Sequence, residues 1–365
     1  MLCWGYKYRI NRNRCYFESP IAMTRQMIEN VSQLEDALSC PTPAVIKALS
    51  EIQGDLIVLG AAGKMGPTLC NMAQRAFDQV GNGQHVIAVS RFSDSTLKDR
   101  LESWGVSTLT GDLLDASFVE SLPKAANVIY MAGMKFGATG NESLTWAMNT
   151  LLPAHVCRHY AQSRIAAFST GNIYGLTPLA KGGSLETDTP NPVGEYAMSC
   201  LGRERVFEHY AKTQGTAISI LRLNYACELR YGVLVDLARK IVDQQPIDLT
   251  MGMANIIWQA DANAMALLSL AHASNPPFAI NLAGPEQISI ERVCIALGER
   301  LDCKPIFTGE PGNKAILSNG QKAHELFGYP QTSLTTMLDQ IANWMNQGGE
   351  LLGKPTKFEV VDGKF

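Results

Sequence analysis

Seven residues, Gly60-Ala61-Ala62-Gly63-Lys64-Met65-Gly66, follow directly on the apolar run Leu56-Ile57-Val58-Leu59, and Pro67 then opens a stretch with helical spacing. Strand, glycine turn and helix in that order make a cradle for a nucleotide pyrophosphate. Glycine lets the backbone turn sharply and approach the phosphates, and a helix N-terminus offers N–H groups and a positive dipole end. The spacing is G-x-x-G-x-x-G rather than G-x-G-x-x-G, which points to one branch of the doubly wound cofactor folds. A glycine triplet also serves as a plain structural turn. The strand before it and the helix after it favour a dinucleotide cradle, with Gly60, Ala62, Gly63, Lys64, Met65 and Gly66 in contact with the cofactor.

A second apolar run ends Val89-Ser90-Arg91. In a dinucleotide fold this tip meets the adenosine ribose, where an acid selects the free 2′-hydroxyl. No acid stands here. Arg91 can pair bidentately with a 2′-phosphate, with Lys64 adding charge nearby, so Ser90 and Arg91 favour NADP, with NAD the alternative. The competing reading of Arg91 is a solvated surface residue. Thr110-Gly111-Asp112-Leu113 follows the third run; Asp112 reads either as an acceptor for the adenine amino group or as ordinary turn chemistry, with Leu113 beside it. After the fourth run, the small residues Ala132 and Gly133 let the backbone lie against a cofactor, and Asn149 reads as a buried structural amide.

These residues need a frame. Strand-like runs at 56–59, 86–89, 106–109, 128–131, 165–168, 217–221 and 278–282 alternate at first with helical patterns at 68–80, 95–104, 143–160 and 194–214. Such alternation predicts an α/β fold, a Rossmann-like doubly wound parallel sheet covered on both faces, with ligands beyond the carboxyl ends of the strands. From 223 the character changes: helices at 232–244, 289–301 and 333–347 and short extended pieces at 246–249 and 305–308 predict a smaller, partly interleaved C-terminal substrate lobe. The expected division is 1–53 as an extension with short helices on the outside of the nucleotide domain, 54–222 as that domain, 223–347 as the second lobe with 255–285 returning to the sheet, and 348–365 as a glycine-rich polar tail forming a surface-wrapping strand or a loop. Lys7, Arg9, Arg12 and Arg14 among aromatics in the first two dozen residues read as a transit-type segment, a disordered extension or an over-long start before Met23.

Composition narrows the function classes. The 365 residues are 46% hydrophobic and 18% charged with a net charge of −3, which is ordinary for a globular protein and gives no basic surface for nucleic acid or membrane. No apolar run approaches the ~18 residues that span a bilayer. Nine scattered cysteines, without C-x-x-C or zinc-type His/Cys spacing, read as reduced thiols in a cytoplasmic protein with no metal.

The fifth run leads into Phe168-Ser169-Thr170-Gly171-Asn172-Ile173-Tyr174-Gly175, and Tyr196, Ser199, Cys200 and Glu204 follow on a helix. Together with the glycine spacing, the Gly-Asp-Leu turn, Leu221-Arg222-Leu223-Asn224, Trp258-Gln259-Ala260-Asp261-Ala262 and Ile280-Asn281-Leu282-Ala283-Gly284-Pro285-Glu286, these motifs resemble the extended short-chain dehydrogenase/reductases. More narrowly they resemble the NAD-dependent epimerase/dehydratase group acting on nucleotide sugars, over residues 55–345. The resemblance implies hydride transfer at a carbinol carbon of a sugar or nucleotide sugar, with Thr170 as the orienting hydroxyl and Tyr196 as acid/base and cofactor contact. It also implies a homodimer built from paired helices. Met134, Lys135 and Phe136 after the fourth strand, with Asn172, Asn224, Arg230 and Tyr231, are candidates to hold a polar substrate.

One departure stands out. The family's lysine four residues after the tyrosine, which grips the nicotinamide ribose and lowers the tyrosine pKa, is replaced by Cys200. Free tyrosine has a pKa of about 10, and cysteine supplies no cation. Arg203 is on the same face but two turns away, and Lys135 and Lys181 lie in loops able to approach. Cys200 itself reads as a small buried thiol rather than a reactive thiolate. An enzyme and a non-catalytic cofactor-binding sensor or scaffold are therefore both carried forward.

Overall fold

The computed structural model describes residues 27–135, 139–360 and 362–363. The basic aromatic N-terminal segment and Phe136 lie outside the described residues. Seven strands, β1 (Leu56–Leu59), β2 (Val86–Ser90), β3 (Ser107–Thr110), β4 (Asn127–Tyr130), β5 (Arg164–Thr170), β6 (Ala217–Leu223) and β7 (Phe278–Leu282), form one parallel sheet in the order β7-β6-β5-β4-β1-β2-β3. The reversal between β1 and β4 sends their C-terminal loops apart and opens the crevice where such sheets bind ligands. Every residue of β1 and β4 is buried, as a strand covered on both faces requires. Ile57 lies between Ile87 and Val128, placing the glycine loop beside the ends of β2 and β4.

The helix that follows the glycine loop, Gly66–Val80, packs Leu69, Met72, Ala73, Ala76 and Phe77 on the sheet and ends at left-handed Gly81. The helical pattern at 143–160 departs from a regular helix. Glu142–Trp146 passes into a π turn, Ala147–Leu151, before Leu152–His159. Pro153 has no N–H to give the Asn149 carbonyl, and the Leu152 N–H reaches Ala147 instead. Asn149 therefore sits on an irregular turn at the crevice.

The second lobe surrounds its own core, in which Leu237, Ile241, Val293, Leu297, Ile341 and Trp344 from the helices Val233–Val242, Ile290–Leu301 and Leu334–Asn346 meet. The N-terminal helices differ from the expectation of an outer layer on the nucleotide domain. Val45 and Leu49 of Pro43–Glu51 do join the sheet's core, but Leu34 and Leu38 of Val31–Leu38 join the core of the second lobe. Glu35 ties that helix to both parts, pairing with Arg100 of the nucleotide domain at 2.6 Å and with Arg230 of the second lobe at 3.5 Å. Of the two forms expected for the tail, its described residues beyond Asn346 take the loop and contain no strand, and Thr356 and Phe358 within it are each 2% exposed. Among the described residues no helix is long and apolar enough to cross a membrane, and no group of His, Cys, Asp and Glu could hold a metal ion.

Candidate active site

The three glycines have different physical reasons. Gly60 sits at φ +89° and a Cβ there would lie 2.6 Å from the Ala132 Cα, so strand-to-strand approach demands glycine. Its N–H and that of Ala61 both donate to the Val89 carbonyl, at 2.9 and 3.1 Å, which locks the loop to β2. A Cβ on Gly66 would come within 2.8 Å of the Ala61 Cα and closer to its carbonyl. Gly63 is exposed, and a Cβ would meet only the Gly60 oxygen at 3.6 Å, an ordinary contact. Protein packing leaves the glycine at 63 unexplained; a ligand lying against the loop explains it. The helix starting at Gly66 has no side-chain cap; its Gly66 N–H is spent on the Gly63 carbonyl at 3.2 Å and Pro67 has none, so what it offers an anion is chiefly the positive end of its dipole. The loop thus fits a dinucleotide pyrophosphate, with half-buried Ala62 and Met65 flanking Gly63.

Lys64 takes a direction the sequence did not suggest. Its amine is directed at the second lobe, onto the ring of Tyr231 and near Glu228, rather than toward the tip of β2. Burial above all, then the like charge of Lys135, pulls its pKa down to about 6. At the tip itself Ser90 accepts the Gly111 N–H at 3.1 Å through its carbonyl, and Arg91 is exposed without an ion pair among the described residues. Asp112 uses Oδ1 to accept the Leu114 N–H at 3.0 Å, which is the turn arrangement, and Leu113 is buried beside it.

At the end of β4 the chain is held by Asn149. Its amide accepts from the Met134 N–H at 3.1 Å and donates to the Met134 carbonyl at 3.2 Å and to Ser199 Oγ at 2.9 Å. Arg203 also donates to Asn149, and to the Phe168 carbonyl at 2.9 Å. A Cβ at Gly133 would fall 2.9 Å from Asn149 Oδ1 and 3.1 Å from Arg203 Cζ, so the glycine admits this guanidinium under the strand end.

Above Arg203 the two residues expected to do chemistry come together. Thr170 closes β5 and Tyr196 lies near the start of the Gly194–Gln214 helix; their hydroxyls share a hydrogen bond, and the phenol also bonds to the Cys200 thiol one turn on. Burial, reinforced by the neighbouring Cys200, pushes the Tyr196 phenol above its ordinary range, while Arg203 and Thr170 oppose that shift. Cys200 is wholly buried and burial raises its pKa, as for an inert thiol. The ammonium that faces the phenol is Lys135, 5.8 Å from the ring centroid and close enough to influence Cys200. Burial pulls Lys135 down to about 8. Lys181 stays away, paired with Asp188 at 2.6 Å.

On the substrate side Asn172 is 6% exposed, its backbone N–H donating to Thr170 Oγ1 at 3.2 Å while its side-chain nitrogen has no partner among the described residues. Asn224 is buried and reaches Asn255 at 3.4 Å. Arg230 is taken up by Glu228 at 3.2 Å and by Glu35, so its charge is already matched inside the fold. Beneath Thr170 lies a network that sequence reading missed: Glu204 accepts from Ser169 at 2.5 Å and from Arg222 at 2.8 and 3.1 Å, and Arg222 also donates to the Tyr174 hydroxyl at 2.7 Å. An arginine near the end of a mostly apolar inner strand is the signal that could have revealed it, since a buried charge needs a partner.

The NAD dependent epimerase/dehydratase family model matches residues 56–249. No curated protein matches the chain by sequence. Among solved structures, the Bacillus cereus UDP-glucuronic acid 4-epimerase with NAD is 19% identical, with a TM-score of 0.65 over 80% of this chain and 97% of that one. The Thermotoga maritima UDP-glucose 4-epimerase with UDP-glucose is 18% identical, with the same score over 80% and 99%. MoeE5 with UDP-glucose and NAD is 18% identical, at 0.64 over 81% and 99%. At these identities the likeness is one of fold, and it agrees with the seven-stranded sheet. On the extent of the family match, this chain belongs to the NAD-dependent epimerase/dehydratase family.

Proposed function

We propose that the protein is an NAD(P)-dependent epimerase/dehydratase-type oxidoreductase acting at a carbinol carbon of a sugar or nucleotide sugar. The observation that carries this reading is the shared hydrogen bond of Thr170 and Tyr196 beside the end of β4. A substrate hydroxyl entering that pair is oriented by Thr170 and gives its proton to the Tyr196 oxygen, or takes one from it in the reverse direction. The dinucleotide, when bound, supplies the hydride acceptor and donor. Gly60, Ala62, Gly63, Met65 and Gly66 cradle its pyrophosphate, Asp112 and Leu113 lie at the adenine end, and Ala132 and Gly133 line its nicotinamide half. Ser90 and the exposed Arg91 support NADP, while the NAD bound in the B. cereus and MoeE5 structures supports NAD as the alternative.

The missing lysine is answered from another element. Lys135 places an ammonium over the Tyr196 ring at 5.8 Å from its centroid, where a cation favours a phenolate, and Arg203 adds a second cation from below that pulls the phenol down. Met134, Asn172 and Asn224 border the substrate side. UDP-glucose and UDP-glucuronic acid, the ligands of the similar structures, are the first substrates to try. Exposed Leu144, Trp146, Leu151 and Met198 on the helices flanking the site support a homodimer through that face. The alternative, a non-catalytic dinucleotide-binding sensor, is favoured by buried Cys200 and the raised phenol of Tyr196. Nucleotide released from denatured protein identifies the cofactor. Hydride exchange between labelled NAD(P)H and a sugar panel, present in the wild type and lost in Tyr196→Phe, separates the two readings; bound nucleotide with no exchange refutes the enzyme.

A further inference from the structure

Beyond its last helix the chain runs back over the site. The Leu352 N–H donates to the Arg230 carbonyl at 3.0 Å, Phe358 sinks into the second-lobe core, and Glu359 takes Lys240 at 2.5 Å. Gly363 then lies so close to the start of the Tyr196 helix that a Cβ would stand 2.7 Å from Val193 and Gly194 backbone atoms. Between these anchors Thr356 makes three bonds. Its N–H and its hydroxyl both donate to Asp236 Oδ2, at 2.7 Å each, and its carbonyl accepts from Lys135 Nζ at 3.5 Å.

The charges around Lys135 explain what that arrangement does. Tyr196 and Cys200 face it from the Gly194–Gln214 helix, Asp236 from the Val233–Val242 helix, Lys64 from the glycine loop and Lys357 from the tail. Lys357 repels it and the carboxylate attracts it, while Lys64, its own pKa pulled down to about 6, is neutral where Lys135 titrates. A buried ammonium near a carboxylate with open acceptor sites pairs with it directly. Here both donors of Thr356 go to Oδ2 of that carboxylate, and the same residue offers the ammonium a neutral carbonyl.

We propose that Thr356 is a positioning residue: by occupying Asp236 and holding Lys135 through its carbonyl, it keeps the Lys135 ammonium over Tyr196. This rests on the role given to Lys135 above, and extends the site into a tail outside the family match at 56–249.

The test uses the full-length chain and amine acetylation with acetic anhydride, reading the Lys135 peptide by mass spectrometry between pH 6 and 11. Wild type is expected to show a labelling midpoint near its depressed pKa of about 8. Thr356→Val keeps the shape and the carbonyl but removes one donor from Asp236. Lys135 then pairs with the carboxylate, which stabilises its charged form, and the midpoint rises by roughly one pH unit, about fivefold slower labelling at pH 8. Thr356→Ser restores the wild-type midpoint. Asp236→Asn removes the competing charge, so Thr356→Val adds nothing in that background. An unchanged midpoint in Thr356→Val, a shift that Thr356→Ser does not reverse, or the same shift without the Asp236 carboxylate overturns the proposal. Should Thr356→Val fail to fold, the Thr356→Ser and Asp236→Asn chains still decide it: a Thr356→Ser midpoint away from wild type, or an Asp236→Asn midpoint that does not fall, refutes it. NADH and NADPH binding is followed separately by fluorescence; if neither binds, the proposed function fails while the Lys135 midpoints still decide the positioning.

Discussion

Replacing Gly63 and Gly66 by alanine, one at a time, separates a glycine kept for a ligand from one kept for packing. At Gly66 the new Cβ would stand 2.6 and 2.8 Å from the carbonyl carbon and Cα of Ala61. These are backbone atoms that cannot rotate away, so the strand-loop-helix junction must shift, at a cost of about 1–3 kcal/mol. At Gly63 the nearest atom is 3.6 Å away and φ is outside the left-handed region, so alanine is accommodated. Loss of unfolded-state freedom then stabilises the fold by about 0.4–1 kcal/mol. The same methyl group projects from the exposed loop where a pyrophosphate must approach. Displacing the phosphates from one charge-assisted backbone hydrogen bond costs about 1.5–3 kcal/mol, roughly a ten- to hundredfold rise in Kd. Thermal unfolding and titration of NADH and NADPH fluorescence measure both quantities on each protein. Gly63→Ala should unfold at or above the wild-type temperature yet bind nucleotide at least tenfold more weakly, whereas Gly66→Ala should unfold earlier. Wild-type nucleotide affinity in a stable Gly63→Ala protein would refute the assignment of this loop as the cradle.

Three other outcomes follow from the site. The Tyr196 phenol is held above its ordinary range mainly by burial, so it is protonated at pH 7, and kcat/KM should climb about tenfold per pH unit from 6 to 9 if the phenolate is the base; a plateau below pH 8 would show another group titrating. Cys200→Lys puts a third cation between Arg203 and Lys135, both of which already act on that position, so lower thermal stability and no gain in activity are expected, and a large gain would refute Lys135 as the replacement. Glu204→Ala strands Arg222, 7% exposed at its side chain, without its carboxylate; loss of about 3–5 kcal/mol in denaturant unfolding is expected, and a loss below 1 kcal/mol would mean that Tyr174 and the Glu186 carbonyl satisfy the guanidinium.

Local pattern was enough for the frame. Runs of four or five mostly apolar residues alternating with helical spacing point to a covered parallel sheet, and the glycine spacing can be read directly because its three glycines lie within seven residues, although the packing reason for Gly60, Ala132, stands at the end of β4. Thr170 and Tyr196 were legible by their motif, yet 26 positions separate them, and only the pairing of β5 with its neighbours and the packing of the Gly194–Gln214 helix bring their hydroxyls together. What replaces the absent lysine was not legible. Lys135 and Cys200 are 65 residues apart, and Asp236 and Thr356, which flank Lys135, are separated by 120. Arg230, equally basic in the sequence, is spent on Glu228 and Glu35, and Lys64 is turned to Tyr231 instead of the ribose. A residue type and its spacing determine what a side chain can do within a turn or two of backbone. Which charge it meets is decided by burial and by partners from distant segments, and those exist only once the two lobes and the returning tail are packed.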